Sequence, residues 1–417
     1  MRINKKEELT IPKVKLLALS SLKEGHAAHR LIEFENSDEI LVKMIVKSSS
    51  LNNLGSIKAF LVDLGYPPEV DNHKHWQQVK AILGGHSTER VALSKCPGFV
   101  GNDYLCADGK VIGNSLGHGP FFPSGFKLHL PSEITTGKLK GWKRDVAAHA
   151  VHSSRLMMSL CSAFSGFVIR FANMESGGFH FFGDSSIGKS GCLKFSASVC
   201  GGVRFVESWN TTDKAFEEMA AAHNDSILIL DELKLVHEDP KKAAEIVMKR
   251  VYMIADGQGK KRTIGFEDCS AIWALTFLSA GEVSLNDHAS DGGRSRIKGE
   301  QVRVVDIPAD AGKGLGVFES LPKEFSSAGD FAVHLEKMCG KNHGAAKLAF
   351  LKKLTSALHD NSFDVEGFLT ERMDSFIKAR CPDRSDGQEI RIAKRFALVY
   401  AAGSLAIKFD VLPFKRR

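Results

Sequence analysis

Residues 179–190 read Phe179-His-Phe-Phe-Gly183-Asp-Ser-Ser-Ile-Gly188-Lys189-Ser190 and contain the pattern G-x-x-x-x-G-K-[ST]. The glycines let backbone N–H groups converge on phosphate oxygens, and the helix that follows directs its positive end at the same anion. In such a loop the lysine contacts the β- and γ-phosphates and the serine hydroxyl binds Mg²⁺. An apolar run precedes the loop and a helix-compatible run follows it, which favours this interpretation over an ordinary glycine turn. We therefore predict ATP and Mg²⁺ as ligands, bound by Gly183, Asp184, Ser185, Ser186, Ile187, Gly188, Lys189 and Ser190.

A second motif, Ser226-Ile-Leu-Ile-Leu-Asp231-Glu232, follows about forty residues later. Its four apolar residues predict a buried strand that ends in two carboxylates, at the edge where open α/β sheets bind ligands. We predict that Asp231 and Ser190 bind Mg²⁺ and that Glu232 polarises the attacking water. A plain strand followed by a solvated turn would produce a similar pattern. Paired with the phosphate loop, however, the two carboxylates indicate nucleotide hydrolysis.

A third predicted strand, Ile272-Trp-Ala-Leu-Thr-Phe-Leu-Ser279, ends in Ser279-Ala-Gly-Glu282. A polar side chain at this position would reach the γ-phosphate or the attacking water between the first two motifs. Ser279 is our candidate for this catalytic contact, and Glu282 is a weaker one. The alternative is that Ser279 only ends the strand.

Apolar runs that alternate with helical segments predict a mostly parallel sheet covered on both faces. The predicted strands are Phe179–Phe182, Val203–Val206, Ile227–Leu230, Ala271–Leu278 and Val302–Ile307. One long helix is predicted from Trp142 to about Phe164. We expect an α/β fold with an N-terminal α+β domain over 1–135, a P-loop NTPase core over 136–325 and a helical C-terminal region over 326–417.

Composition fits a folded globular chain rather than a disordered or fibrous one: of 417 residues, 43% are hydrophobic and 25% charged, with a net charge of +7. The eight cysteines form no C-x-x-C pair, which excludes a local zinc ribbon and fits a reducing compartment. The apolar uncharged stretch Leu156–Ile169 is shorter than the ~20 residues of a membrane span. The first ten residues lack the apolar core of a secretory signal. We expect a cytoplasmic protein without a membrane partner.

Five stretches together resemble a helicase-like family that is catalogued as domain of unknown function 927 and often found in phages, plasmids and other mobile elements. They begin at Gly177, Ala221, Asp256, Leu278 and Val302, and read GGFHFFGDSSIGKS, AAHNDSILILDEL, DGQGK, LSAGE and VRVVDIPAD. The resemblance covers roughly residues 95–320. It implies an AAA+-like core, related to that of ring-forming ATPases and of hexameric viral and minichromosome-maintenance helicases.

This kinship suggests further site residues. In ring motors an arginine of one subunit stabilises the γ-phosphate held by its neighbour. Arg303 occupies the corresponding place, with Arg294 and Arg296 as alternatives, and Arg391 or Arg395 would make sensor contacts. Related helicases also place a DNA-contacting hairpin after Asp256, where we predict nucleic-acid binding by Lys260, Lys261 and Arg262. Each of these cations would otherwise be an ordinary surface charge.

The chain departs from these relatives at three points. Ser279 stands where viral helicases commonly have asparagine, Ala280 replaces a threonine often seen in the family, and the N-terminal region carries no primase signature. The expected function is an ATP-dependent DNA helicase or translocase that works in the replication of a mobile element. By analogy with its relatives, we expect a homo-oligomeric ring, a hexamer. Two alternatives stay open: an ATPase switch or remodeller that acts on a protein or in defence, and a nucleotide-binding module without turnover.

Overall fold

The structure is a computed structural model, and it describes residues 12–20, 28–67, 72–113, 118–124, 128–129, 131–260, 263–264, 267–268, 271–296, 298–381 and 385–415. The chain divides into two compact units. One consists of Met1–Lys95 and Ser115–Lys127, and the other of Cys96–Asn114 and Leu128–Arg417. Each unit has its own hydrophobic core.

The first unit is a four-stranded sheet with two helices. Its strands have the order β3-β2-β1-β4, with antiparallel pairs except for β1 and β4, which are parallel. Side-chain oxygens of Asn53 and Asn72 accept hydrogen bonds from the first turns of the two helices and so fix where these helices begin. The elements are β1 (Val14–Ser20), β2 (His29–Glu35), β3 (Leu41–Lys47), α1 (Leu54–Asp63), α2 (His73–Gly84) and β4 (Arg90–Val91).

The second unit begins with a small antiparallel sheet of order β5-β6-β7, formed by Gly98–Val100, Asp103–Leu105 and Val111–Ile112. The Phe99 N–H donates to the Asp225 carboxylate at 2.8 Å, and the Tyr104 hydroxyl donates to the Asp225 carbonyl at 3.3 Å. These bonds and the shared core hold the small sheet within the second unit. The boundary therefore differs from the domain predicted over 1–135. Residues 326–417 likewise pack into the core of the second unit.

The centre of the second unit is a five-stranded parallel sheet of order β14-β8-β13-β10-β9. Successive residues of β10 alternate between two cores, because side chains along a strand point to opposite faces. Ile227 and Ile229 pack with α4, whereas Leu228 and Leu230 pack with α6 and α7. The strands are β8 (Gly177–Phe182), β9 (Glu207–Ser208), β10 (Ser226–Asp231), β13 (Leu275–Gly281) and β14 (Val304–Pro308), and β11 (Thr263–Ile264) and β12 (Glu267–Asp268) form a separate hairpin.

Helices cover this sheet and make up the C-terminal region. They are α3 (Leu139–Asp145), α4 (Ser154–Val168), α5 (Lys189–Ala197), α6 (Asp213–Ala222), α7 (Pro240–Asp256), α8 (Leu285–Asp291), α9 (Lys298–Gln301), α10 (Ala328–Lys341), α11 (Ala345–Asp360), α12 (Val365–Arg380) and α13 (Gly387–Lys408). The prediction of a mixed α/β fold with a parallel sheet and a helical C-terminal region is confirmed. Within the described ranges, no helix is long and apolar enough to cross a membrane.

Two predicted elements are wrong in detail. Residues Val203–Phe205 form a 3₁₀ turn, and the edge strand β9 follows it at Glu207–Ser208. The helix expected from Trp142 to Phe164 is interrupted by a 3₁₀ segment, Ala147–His152. The interruption ends at Ser153, whose hydroxyl accepts a hydrogen bond from the Leu156 N–H at 3.1 Å and begins α4 as its N-cap.

Candidate functional site

The loop between β8 and α5 adopts backbone conformations that favour glycine at both ends. Gly183 has φ +146° and Gly188 has φ +102°, a region that residues with a Cβ atom rarely adopt. A Cβ atom at Gly188 would also lie 2.8 Å from Val317 Cγ2. The two glycines of the motif therefore allow the chain to curl and to start α5 directly at Lys189. The loop residues Asp184, Ser185 and Ser186 are exposed, as is Ser190.

Lys189 lies at the start of α5 and points back over the loop. Its ammonium donates hydrogen bonds to the carbonyl oxygens of Gly183, at 2.7 Å, and of Asp184. Partial burial lowers the pKa of Lys189, although the negative charges of Glu282, Asp184 and Asp231 oppose the shift. A phosphate group bound in this loop would compete with the two carbonyls for the ammonium, and its negative charge makes it the stronger acceptor.

The carboxylates of Asp231 and Glu232 follow the C-terminal end of β10. Asp231 Oδ1 accepts a hydrogen bond from the Glu232 N–H at 2.9 Å. The side chain of Glu232 is exposed, and its Oε2 accepts a hydrogen bond from the Ser208 hydroxyl at 3.0 Å. Ser208 is the last residue of β9, which lies beside β10. Neighbouring strand ends thus hold both carboxylates at one edge of the sheet.

These predicted residues line one cleft of about 590 Å³ at the carboxyl edge of the parallel sheet. The loop and the start of α5 form one wall of the cleft, the end of β10 and the residues after it form a second, and the end of β13 forms a third. The helix α10 completes the lining with Ala332, Val333 and Glu336. The cleft is lined by Ser185, Ser186, Gly188, Lys189, Ser190, Gly191, Asp231, Glu232, Leu233, Lys234, Ala280, Gly281, Glu282, Ala332, Val333 and Glu336.

The cleft also contains an ion pair that the sequence interpretation missed. The Lys234 ammonium binds the Glu282 carboxylate, and Lys234 lowers the pKa of Glu282. Lys234 is two residues beyond Glu232, and nothing in its local pattern distinguishes it from a solvated lysine. Only the packing of β13 beside β10 brings it opposite Glu282. The weaker candidate Glu282 is therefore placed in the cleft.

The structure does not bring Ser279 into the cleft, which corrects the predicted contact with phosphate or water. Ser279 is fully buried, and its hydroxyl pairs with His180 Nδ1 at 2.7 Å. Ser279 lies opposite His180 in the pairing of β13 with β8, and the residues of β13 that line the cleft begin at Ala280. The Ser279 side chain is therefore directed at the neighbouring strand β8 and not at the cleft.

Arg303 lies at the opposite edge of the sheet from the cleft. It precedes β14, which runs parallel to β8 with Val304 opposite Gly178 and Pro308 opposite Phe182. Its guanidinium donates to the Gly299 carbonyl at 2.8 Å and lies 5.0 Å from the centre of the Tyr252 ring. Arg303 therefore cannot reach the cleft of its own chain.

The other candidate arginines differ in their availability. Arg296 is buried and donates to Asp306 Oδ2 at 2.8 Å, so it is bound within the chain. Arg395 is also buried, and its guanidinium donates to the backbone carbonyls of Val302, Glu175 and Ser176. Burial lowers the pKa of Arg395 to about 10. Neither side chain is placed for a nucleotide contact. Arg294 and Arg391 are exposed, and Arg294 pairs with Glu245.

The predicted basic loop follows α7, which ends at Gly257 in a left-handed conformation. Lys260 is exposed, and its backbone N–H donates to Glu217 Oε1 at 3.4 Å. Lys261 and Arg262 lie outside the described residues. Directly after them β11 pairs with β12 in an antiparallel hairpin, with Thr263 opposite Asp268.

The cleft residues fit the groups that Mg²⁺ and a nucleotide require. An exposed hydroxyl, that of Ser190, and the carboxylate of Asp231 line one cavity, and Mg²⁺ commonly takes one or two protein ligands together with substrate phosphates and water. In the part of the chain that the structure describes, no three His, Cys, Asp or Glu side chains cluster to hold a metal by themselves. A metal ion in this cleft would therefore be bound jointly by protein side chains and by a phosphate group.

Comparison with known proteins bears on the family and the fold. A family model described as Domain of unknown function (DUF927) matches residues 20–265, which confirms the family that the motifs resemble. The match begins and ends earlier than the expected range 95–320. No curated protein matches the chain. Among solved structures, the chain is similar to "SCCmec type IV Cch - active helicase", at 17% identity and a TM-score of 0.67, over 97% of this chain and 71% of that chain. "The A form apo structure of NrS-1 C terminal region-CTR" aligns at 11% identity and a TM-score of 0.32, over 95% of this chain and 88% of that chain. The first match shows a shared fold.

Proposed function

The chain belongs to the family described as Domain of unknown function (DUF927), and from this premise we propose that it is an AAA+-type P-loop ATPase that couples ATP hydrolysis to DNA unwinding or translocation. The observation that supports the proposal most is the single cleft that holds the loop lysine together with both carboxylates. Motifs that lie about forty residues apart in the sequence meet there at one sheet edge.

The proposed chemistry assigns one task to each cleft residue. Backbone N–H groups of residues 183–190 and the Lys189 ammonium bind the triphosphate, and Ser190 and Asp231 hold the metal. Bound Mg²⁺ supplies positive charge that offsets the charge developing on the phosphoryl oxygens. Glu232 orients a water molecule and accepts its proton. Ser208 holds the Glu232 carboxylate in place through the observed hydrogen bond.

The position of Arg303 supports the proposal of a ring assembly. Because it lies at the sheet edge away from its own cleft, it contributes to hydrolysis only by reaching the cleft of an adjacent subunit. We propose a homo-oligomeric ring, a hexamer by analogy with the related motors. The hairpin β11–β12 and the cations Lys260, Lys261 and Arg262 would contact DNA phosphates, in the replication of a mobile element.

Phosphate release tests the ATPase. Lys189→Ala removes the cation that binds the β- and γ-phosphates, and we expect the rate to fall at least about 100-fold. Lys214→Ala is the matched control, since Lys214 is an exposed lysine that pairs with Glu218 on α6. Equal rates in the Lys189→Ala variant and the unmodified protein would contradict the proposed site.

Strand displacement tests the coupling to DNA. We expect the chain to unwind a forked duplex only with ATP, and to bind single-stranded DNA more weakly as salt rises, because phosphate contacts release counterions. ATP hydrolysis without unwinding and without salt-dependent DNA binding would instead identify a switch or remodeller that acts on protein. Nucleotide binding without phosphate release would identify a regulatory module.

A further inference from the structure

A fully buried histidine connects two strands directly beneath the cleft. His180 lies in β8, three residues before the loop begins at Gly183. Its Nδ1 pairs with the Ser279 hydroxyl at 2.7 Å, and its Nε2 pairs with the Val283 carbonyl at 3.1 Å. The ring thus bridges Ser279, near the end of β13, and the turn that follows this strand. No role for this bridge follows from the nucleotide motifs.

The hydrogen bonds determine the tautomer of the ring. A carbonyl oxygen only accepts, so Nε2 carries the hydrogen that Val283 receives. A neutral imidazole then has an acceptor at Nδ1, and the Ser279 hydroxyl donates to it. Burial lowers the pKa of His180 to about 4, so the ring is neutral at physiological pH. The Ser279 hydroxyl therefore donates to His180, and His180 in turn donates to the Val283 carbonyl.

The bridge shapes the turn that forms one wall of the cleft. A Cβ atom at Gly281 would lie 3.0 Å from His180 Cε1 and 3.1 Å from Nε2, so the backbone of the turn rests on the edge of the ring. The next residue, Glu282, is exposed in the cleft and pairs with Lys234. The ring contacts on both sides of Glu282 therefore fix where its carboxylate holds Lys234.

We propose that His180 is a positioning residue of the ATPase: its imidazole holds the turn 281–283 so that Glu282 keeps the Lys234 ammonium beside Lys189 as a second cation for the phosphates. The inference rests on the proposed ATPase function. It explains why a polar residue occurs at position 279 although its side chain does not reach the cleft. Ser279 orients the imidazole, and the imidazole orients the turn.

The test separates positioning from stability by steady-state kinetics. His180→Phe keeps a ring but removes both hydrogen bonds, and we expect kcat to fall about tenfold or more while KM for ATP changes less than about threefold. His180→Gln keeps an N–H donor and an acceptor, and should recover most of kcat. Because His180 acts through Glu282, the double variant His180→Phe/Glu282→Ala should lose no more kcat than the worse single variant.

The matched control is Ser165→Ala. Ser165 is a buried serine whose hydroxyl pairs with Thr276 Oγ1 at 2.8 Å, at the end of β13 away from the cleft. Because it removes a buried hydrogen bond, as His180→Phe does, it should lower the thermal midpoint yet leave kcat unchanged. If His180→Phe and Ser165→Ala lower the midpoint alike and both keep kcat, His180 is merely structural and the inference is overturned. Normal phosphate release by Lys189→Ala would instead overturn the proposed function, and the positioning role with it.

Discussion

Glu232 and Ser186, two exposed residues of the cleft, have left-handed backbone conformations with φ +64° and +65°. For a residue with a Cβ atom this conformation costs about 1–2 kcal/mol. Such strain persists where neighbouring groups over-determine the conformation, which is frequent at functional sites. Around Glu232 these groups are the Asp231 carboxylate, which accepts from its N–H, and the Ser208 hydroxyl, which donates to its side chain. The carboxylate is therefore held before any substrate binds.

Removing the Ser208 hydroxyl should impair hydrolysis without impairing binding. We expect Ser208→Ala to lower kcat about three- to tenfold and to leave KM for ATP unchanged, because only the orientation of Glu232 is lost. Glu232→Gln should lower kcat at least about 100-fold. Ser356→Ala is the control, since Ser356 is an exposed serine whose hydroxyl also donates to a carboxylate, that of Asp360 at 3.0 Å. A Ser208→Ala variant with normal kcat would argue against the orienting role.

Two glycines near the start of α5 should respond in opposite ways to alanine. Gly188→Ala places a Cβ atom in a left-handed residue and 2.8 Å from Val317, so we expect a loss of about 1–2 kcal/mol in the free energy of unfolding. Its loop should also bind a non-hydrolysable ATP analogue more weakly. A Cβ atom at Gly191, within α5, would have no neighbouring atom within 4 Å. Gly191→Ala should therefore raise the free energy of unfolding by about 0.5–1 kcal/mol. Urea titrations measure both changes. A Gly188→Ala variant with an unchanged free energy of unfolding would contradict the expected backbone strain at this position.

The sequence predicts cleft residues well where chemistry restricts the residue type. The loop from Gly183 to Ser190 and the pair Asp231-Glu232 are recognised because the proposed binding of phosphate and metal would allow few substitutes at fixed spacing. Ser279 is different, since the direction of its side chain depends on its partner His180 across the β13–β8 pairing. Lys234 was missed for a similar reason. Its role depends on a strand neighbour rather than on adjacent residues.

At the scale of elements, the helix α4 approaches the sheet closely through Gly166. A Cβ atom there would lie 2.1 Å from the Ser226 carbonyl oxygen at the start of β10. Gly166→Ala should therefore lower the free energy of unfolding by about 1–3 kcal/mol, since the helix must move away from the strand. A Cβ atom at Gly340 in α10 would have no neighbouring atom within 4 Å, so Gly340→Ala should raise the free energy of unfolding by up to about 1 kcal/mol. If both variants unfold at the same urea concentration, the close packing is not a constraint.

Element positions were predicted best where apolar runs are long. The buried strands β8, β10 and β13 have long apolar runs, and each overlaps its predicted run. The two-residue strand β9 was displaced from Val203–Val206, because pairing with the end of β10 rather than local pattern defines it. The break between α3 and α4 was missed because the alanine-rich segment Ala147–His152 retains helical spacing.

At the scale of the whole molecule, stability should fall as pH drops below about 6.5. Burial lowers the pKa values of His180 and His223 to about 4, so between pH 6.5 and 4 the unfolded chain binds protons that the folded chain does not. Over this range each of the two histidines therefore lowers the free energy of unfolding by about 1.4 kcal/mol for every unit by which the pH falls. Urea unfolding at several pH values measures the slope, and His180→Gln should reduce it. An unchanged slope in that variant would contradict the assignment to His180.

The largest structural consequence concerns the assembly. β14 has five residues, so Arg303 at its start is about 15 Å along the strand from the cleft edge. If Arg303 serves a neighbouring subunit, Arg303→Ala should lower phosphate release at least about 100-fold, as expected for loss of an arginine that stabilises transferring phosphate. Arg303→Lys should not restore it, because lysine lacks the planar guanidinium that lies over Tyr252.

Mixing two inactive variants tests whether Arg303 acts between subunits. Arg303→Ala subunits keep an intact cleft, and Glu232→Gln subunits keep an intact arginine. In an equimolar mixed ring, about a quarter of the interfaces combine an intact cleft with an intact arginine from the neighbour, so activity should exceed that of either variant alone. The gain should depend on protein concentration, because subunits must exchange. A mixture no more active than its components, at concentrations where the chain is oligomeric, would show that Arg303 does not complete the cleft of a neighbour.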